Sequence, residues 1–192
     1  MKPAKPKPVL VIITGLPCTG KTTLGKRIAD EFGVPFLHKD GIKEVLFDVL
    51  GWQDRAWSRR LGVAGYALLY YFVEVQLAAG ISCVVESNFH PEHATQQLLA
   101  LRRRYDFQPV QVQCVTDGQV LYERFVRRAA SGERHPGHVD LQTCEDLRPV
   151  LLKGRLDALD IGGEVYTVDT TDFSTVDYDA LLSAIAPKMR SI

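Results

Sequence analysis

From Val9 the chain runs Val-Leu-Val-Ile-Ile without a polar residue, and beyond a glycine-bearing loop the apolar positions return as Leu24, Ile28, Ala29 and Phe32. An unbroken β-branched run suits a strand covered on both faces of a parallel sheet, whereas recurrence every three or four residues suits a helix with one buried face. Gly33, with Pro35 just beyond, supplies the stop, because glycine accepts the left-handed cap and proline cannot continue the turn. The opening unit is therefore strand, loop, helix, over Val9–Ile13 and Gly20–Phe32.

The pattern continues down the chain. Pro35–His38 predicts a brief second strand, Gly41–Leu50 a helix ending at Gly51, and Ala56–Ala79 a long helix in which Leu61, Ala64, Leu68, Phe72 and Val75 keep helical spacing. Gly62 and Gly65 either weaken that helix or let a neighbour come close. Ile81–Val85 reads as a buried strand and Pro91–Arg104 as a helix with proline in its first turn and cations in its last. Val110, Val112 and Cys114 alternate with Gln111 and Gln113, which predicts a strand with one polar face near a sheet edge. There follow a helix over Gly118–Ala130, a mobile polar loop at Ser131–His138, a helix over Asp140–Leu159 made irregular by Pro149, a strand at Val165–Val168 and a closing helix at Asp177–Ala186. Strands alternating with helices predict a three-layer α/β sandwich on a parallel sheet. The expected organisation is a flexible start over residues 1–8 and one domain over 9–192.

Composition narrows the class. A chain of 192 residues can bury a core without disulfides or a structural metal. Lys plus Arg equals Asp plus Glu at 23 each, so no global field draws the protein to nucleic acid or membrane, and any polyanion contact must be local. The opening MKPAKPKP has no apolar core of signal-peptide length, and no later segment is expected to reach the uncharged length of a membrane span. These features predict a soluble cytoplasmic protein. Cys18, Cys83, Cys114 and Cys144 are too far apart for a metal knuckle and too few for a disulfide scaffold. They read as reduced thiols, Cys83 and Cys114 in the core. Cys18 is either open to oxidation or simply a loop position.

The loop carries the chemistry. Gly15-Leu16-Pro17-Cys18-Thr19-Gly20-Lys21-Thr22 matches G-x-x-x-x-G-K-[ST] between a strand and a helix, the setting a phosphate-binding loop requires. Its glycines let successive amides point inward as an anion nest, and the helix adds its positive end. Lys21 is placed to reach the β- and γ-phosphates of ATP, and the Thr22 hydroxyl to ligate Mg²⁺. Thr23 closes the candidate nucleotide segment and otherwise serves as helix surface or packing.

Three further segments bear on the fate of the γ-phosphate. Asp40, in His38-Lys39-Asp40, falls at the carboxyl end of the second strand, where open parallel sheets gather ligands; it either orients an acceptor hydroxyl and takes its proton or caps the following helix. Glu86 ends the third strand and either holds Mg²⁺ through water or ends the strand in solvent. Arg124, Arg127 and Arg128 share a helix side, followed by Arg134, His135 and His138. They form either a closing lid that neutralises the transferring group and excludes water or a solvated basic face. No third ligand accompanies the histidines, so zinc is not expected.

The segments GLPCTGKTTL, HKDGIKEVLFD, VVESNF and RFVRRAASGERHPGHVD, in that order, resemble the family of P-loop kinases grouped with AAA-type ATP-binding proteins. That group is similar to polynucleotide 5′-hydroxyl kinases, zeta-type toxins, gluconate kinase and chloramphenicol phosphotransferase. The resemblance implies a P-loop NTPase sandwich of about five parallel strands in the order 2-3-1-4-5, with a helical lid near residues 124–140. It also implies that Asp40 activates the acceptor and that Arg124, Arg127 and Arg128 are lid arginines that contact ATP; which of them acts at the transition state stays open, with Arg128 the candidate for the transferring group. Glu86 stands where relatives often carry aspartate, and the acidic Walker B run and sensor arginines of ring-forming motors are missing. The expected activity is ATP- and Mg²⁺-dependent phosphoryl transfer to a hydroxyl of a small molecule. The alternatives are a 5′-hydroxyl nucleic-acid kinase, using the basic start and Arg102-Arg103-Arg104, or a nucleotide-binding ATPase that regulates. Trp52 and Trp57 either stack on a substrate or pack.

Overall fold

The computed structural model describes residues 7–189. The expected flexible start lies outside them except for Lys7 and Pro8, and the Pro8 carbonyl already accepts from the Gln108 amide at 2.9 Å.

Five strands form one parallel sheet in the order β2-β3-β1-β4-β5, as the resemblance implied. They are β1 (Val9–Thr14), β2 (Phe36–His38), β3 (Cys83–Glu86), β4 (Gln108–Val115) and β5 (Glu164–Asp169). The β-branched β1 is central and wholly buried, and its alternate residues serve two cores. Val9, Val11 and Ile13 meet α1 (Lys21–Phe32) and α7 (Tyr178–Met189) through Leu24, Ile28, Leu181 and Ile185. Leu10 and Ile12 meet α3 (Arg55–Ala79) and α4 (Pro91–Arg104) through Leu69, Val73, Leu77, Leu98 and Leu101. Completing the fold are α2 (Lys39–Leu50), α5 (Gly118–Ser131) and the short α6 (Cys144–Leu151), with single 3₁₀ turns at Pro136–His138, Asp140–Gln142 and Phe173–Thr175. A third cluster of Leu16, Leu121, Phe125, Leu151 and Leu156 fastens α5 and α6 beneath the glycine loop.

Five expectations are corrected. β4 is no edge: it lies between β1 and β5, and its glutamines are buried. The backbone satisfies them, since Gln111 Nε2 donates to the Leu159 carbonyl at 2.9 Å while its Oε1 accepts from the Leu159 amide, and Gln113 donates to the Leu156 carbonyl. The segment after Pro149 therefore lies along the sheet as an extended strap, and α6 stops at Leu151. Helix α3 buries Ser58, Leu61, Gly65, Leu69, Val73 and Leu77 and exposes Leu68 and Val75, a rotation away from the expected stripe. This helix of 25 residues is also long and apolar enough, by length and composition only, to cross a membrane, contrary to the expectation that no segment would be; its inner side is packed on the sheet. Finally, the later part of Ser131–His138 is docked, with His138 buried and Gly137 against the Phe47 ring, while Ser131, Gly132 and Glu133 are exposed.

Register positions the site. Glu86 lies beside Ile13 on one flank and His38 on the other, so the glycine loop, the end of β3 and the start of α2 share one rim.

Candidate active site

The loop leaving β1 turns through backbone that only small or strained residues accept. Gly15 has φ 153° with the Cys114 carbonyl 2.7 Å from where a Cβ would sit, and Gly20, just before α1, has φ 80°. Cys18 adopts φ 67° without being glycine. This alternation curls the amides inward, and the first N–H groups of α1 have no intrahelical acceptor. Lys21 is buried and donates to the Leu16 carbonyl at 2.8 Å, with its ammonium 3.8 Å from Glu86 Oε1. Thr22 donates to Glu86 Oε2 at 2.7 Å. The hydroxyl and carboxylate expected to serve one cation are thus already in contact, a hard-oxygen donor pair of the kind magnesium takes. Burial pushes the Cys18 thiol up, which disfavours its thiolate.

Across a cleft of about 750 Å³ stands Asp40. The helix cap is supplied by His38, whose Nδ1 accepts from the Gly41 amide at 3.0 Å, so Asp40 is released from that task. Its carboxylate meets Lys39 Nζ at 2.9 Å and an Arg134 guanidinium nitrogen. Burial opposes the charge, but Lys39 and Arg134 outweigh it and hold the carboxyl well below the usual range. Arg134 also binds Asp140 Oδ2 at 2.6 Å. One guanidinium therefore joins α2 to the segment after α5. Beside it, Val139 has φ 53°, an outlier for a β-branched residue, which puts backbone strain next to this ion cluster.

Two buried cationic or titratable groups complete the wall. Lys43 donates to Ser58 Oγ at 2.8 Å, and burial together with neighbouring Lys39 brings its ammonium down to about 8. His138 pairs with Glu44 Oε1 at 2.9 Å, and burial and Arg134 lower it to about 2, so the ring is neutral. Neither Lys43 nor Asp140 was picked out in the sequence. Lys43 lies three residues past Asp40 on a helix whose cleft side only the fold defines, and Asp140 reads as a helix start.

The arginines separate. Arg124 donates to the Thr170 and Thr171 carbonyls, each at 2.7 Å, and stacks 4.0 Å from the Phe173 ring centre at the outer end of the cleft. Phe173 in turn covers Gly20, where a Cβ would lie 2.6 Å from the ring. Arg128 faces the cleft 3.4 Å from Asp140, and its Nε is buried without a hydrogen-bond partner among the described residues. An orphaned donor beside a phosphate loop fits a bound anion. Arg127 is exposed and outside the cleft, because a step of three from Arg124 swings it off the face that Arg128 shares at a step of four. Pro17, Cys18, Gly20, Lys21, Thr22, Thr23 and Glu86 all border the cleft. Leu16 is buried beneath it, and Thr19 donates to the Leu16 carbonyl at 2.9 Å. Trp57 donates to the Gly51 carbonyl and closes the α2–α3 turn, while Trp52 is half exposed; neither borders the cleft, whose wall on this side is Lys39, Lys43 and Asp140. Of the arginine triplet, Arg102 donates to the Ile161 carbonyl and Arg104 pairs with Glu74.

A parallel 2-3-1-4-5 sheet with a phosphate loop after its central strand defines the fold class of the P-loop kinases. A family model for the AAA domain matches residues 10–151, and the chain belongs to that family, within the P-loop kinases. It is 39% identical to a "putative kinase" from Chloroflexus aurantiacus, with a TM-score of 0.85 over 95% of this chain and 98% of that one. The fold is also that of a sugar kinase from Janibacter sp., at 15% identity and a TM-score of 0.58 over 96% and 95% of the two chains. A gluconokinase from Sinorhizobium meliloti gives 16% and 0.50 over 97% and 93%. No curated protein matches the sequence.

Proposed function

We propose that the protein transfers the γ-phosphate of ATP to a hydroxyl of a small-molecule acceptor. The observation that carries this reading is a cleft with Lys21, Thr22 and Glu86 on one wall and a freed, ionised Asp40 on the other. The amides from Gly15 to Thr22 hold the phosphates, Lys21 leaves the Leu16 carbonyl for a phosphate oxygen, and the Arg124–Phe173 stack borders the base. Thr22 and Glu86 are the residues that would hold magnesium, which supplies neutralisation of the phosphate charge when bound.

Transfer forms a bond from the acceptor oxygen to Pγ and breaks the bond from Pγ to the β-bridging oxygen, and the hydroxyl proton must leave. Asp40, tied to Lys39 and Arg134, is a poor base while it keeps both partners. The segment near residues 124–140 acts as the lid: as Arg134 and Arg128 turn to the transferring group, Asp40 loses a cation and regains affinity for the proton. In a loose phosphoryl-transfer transition state that proton moves late, so orientation by Asp40 comes first. A cleft walled by cations and closed by a lid favours an alcohol over water.

The test is a panel of alcohols, sugars, nucleosides and aminoglycosides, with phosphorylated product detected by mass. Once an acceptor is found, Asp40→Asn is expected to lower kcat by about 10²–10⁴-fold while ATP affinity stays near that of the parent. Unchanged turnover removes Asp40 from the reaction, and ATP consumption with no phosphorylated product across the panel refutes the transferase.

A further inference from the structure

Helix α3 is apolar on the side turned away from the sheet as well as on the side packed against it. Ala56, Arg60, Val63, Ala67, Tyr71 and Ala78 are exposed, Val63 by 72% and Tyr71 by 65%, and Glu74 is half-buried among them. At about 100° per residue these seven positions lie within about 40° of the direction of Ala67, so they form one stripe opposite the buried face. The sequence of this stripe reads the same way twice. About Ala67, Val63 mirrors Tyr71, Arg60 mirrors Glu74 and Ala56 mirrors Ala78. Laid antiparallel on itself, the stripe puts a small residue on the axis, an apolar pair on each side of it, a cation opposite a carboxylate beyond those, and alanine at both ends.

We infer that this face is the interface of a two-fold symmetric dimer, with α3 of one copy antiparallel to α3 of a second copy. A two-fold contact requires a self-complementary surface, and the stripe meets that demand in size, polarity and charge. Arg60 has no ion-pair partner within the chain among the described residues. Glu74 is engaged by Arg104 and by the Tyr105 hydroxyl, both at Oε1, which leaves Oε2 for the second copy. Ala67 allows close approach of the helix axes. Alongside the stripe runs a groove of about 940 Å³ between α3 and α4, floored by Tyr66, Tyr70 and Phe89, which extends the apolar face beyond α3 itself. A 25-residue helix is about 37 Å long. A strip about 10 Å wide gives roughly 400 Å² per copy, half of the roughly 800 Å² of a standard interface, so the α4 flank must contribute and the dimer should dissociate on dilution.

Sedimentation of the full chain over a concentration series is expected to show a monomer–dimer equilibrium that Arg60→Glu shifts toward monomer by at least tenfold in Kd. Geometry is tested separately by cysteine placement with a short thiol cross-linker. Ala67→Cys should cross-link to itself, whereas Ala78→Cys should not, since two copies of residue 78 lie about 33 Å apart along antiparallel helices, 22 steps of 1.5 Å. A mixture of Ala56→Cys and Ala78→Cys should cross-link. A chain that stays monomeric at all concentrations, or that cross-links equally through Ala78→Cys alone, overturns the inference. So does a monomer that floats with anionic vesicles, which would assign the apolar stripe to a membrane surface.

Discussion

Replacing Lys43 by methionine should make the protein more stable, and the size of the gain follows from where the ammonium sits. Lys43 is buried at the cleft wall, and its neighbour Lys39 adds to the cost of its charge, so its pKa falls from 10.5 to about 8. A depression of that size is a penalty of about 3 kcal/mol on the folded state wherever both folded and unfolded chains carry the proton. The sign follows from proton binding. Above pH 8 the folded chain releases the proton that the unfolded chain keeps until about 10.5, so stability rises with pH across that window and the full penalty applies below it. Methionine is similar in length and carries no charge. Against the gain stands the hydrogen bond to Ser58, itself buried, whose loss costs about 1–2 kcal/mol. The net expectation at pH 7 is a gain of about 1–2 kcal/mol, or roughly 2–8 °C in Tm for a chain of this size. The double variant Lys43→Met with Ser58→Ala should recover more. Urea unfolding at pH 7 and pH 10, with unchanged m-values, reads the effect directly. The gain should shrink toward zero or reverse at pH 10, where the parent lysine is neutral when folded. A variant that is less stable than the parent at pH 7, with the same dependence on pH, would refute the electrostatic argument. Keeping a cation at such a cost is expected of a side chain that holds ligand.

Lys21→Met should weaken Mg·ATP binding by about 10–150-fold, the loss of a charge-assisted bond worth about 1.5–3 kcal/mol, measured by calorimetry; unaltered affinity would disconnect the loop lysine from the phosphates. Gly137→Ala places a Cβ 2.7 Å from the fully buried Phe47 ring, an overpacking cost of about 1–3 kcal/mol that denaturant titration should register. His138, lowered to about 2 by burial and Arg134, stays neutral when folded and ionises when unfolded as pH drops below 6.5, so its contribution to stability is intact above 6.5 and declines below it. His138→Gln should flatten the loss of Tm between pH 7 and pH 5, and an unchanged slope would show that other groups set it.

Much of the fold was legible because its signals are local. β1, α1 with its Gly33 cap, α4 with its proline start and basic end, and the strand order implied by the loop's kin all depend on short stretches. What the sequence did not disclose depends on partners remote along the chain. Gln111 and Gln113 look like an exposed strand face until the strap at residues 156–159 arrives to satisfy them. The buried side of α3 cannot be chosen from periodicity when both sides are apolar. At the site, the loop residues and Glu86 were visible as motif and strand end. Asp40 stood level with a helix cap until His38 took that role. Lys43 and Asp140, and the clamp of Arg134 on Asp40, needed α2 and the segment after α5 to be brought together.

The contact between Lys21 and the Leu16 carbonyl has a thermodynamic consequence. An ammonium held by a carbonyl of its own loop exchanges one oxygen acceptor for another when it takes up a phosphate, so that side chain loses no bulk water in the exchange. The reorganisation that accompanies nucleotide capture under the proposed lid motion then falls on the segment that carries Arg128 and Arg134, and the loop that holds Lys21 is spared it.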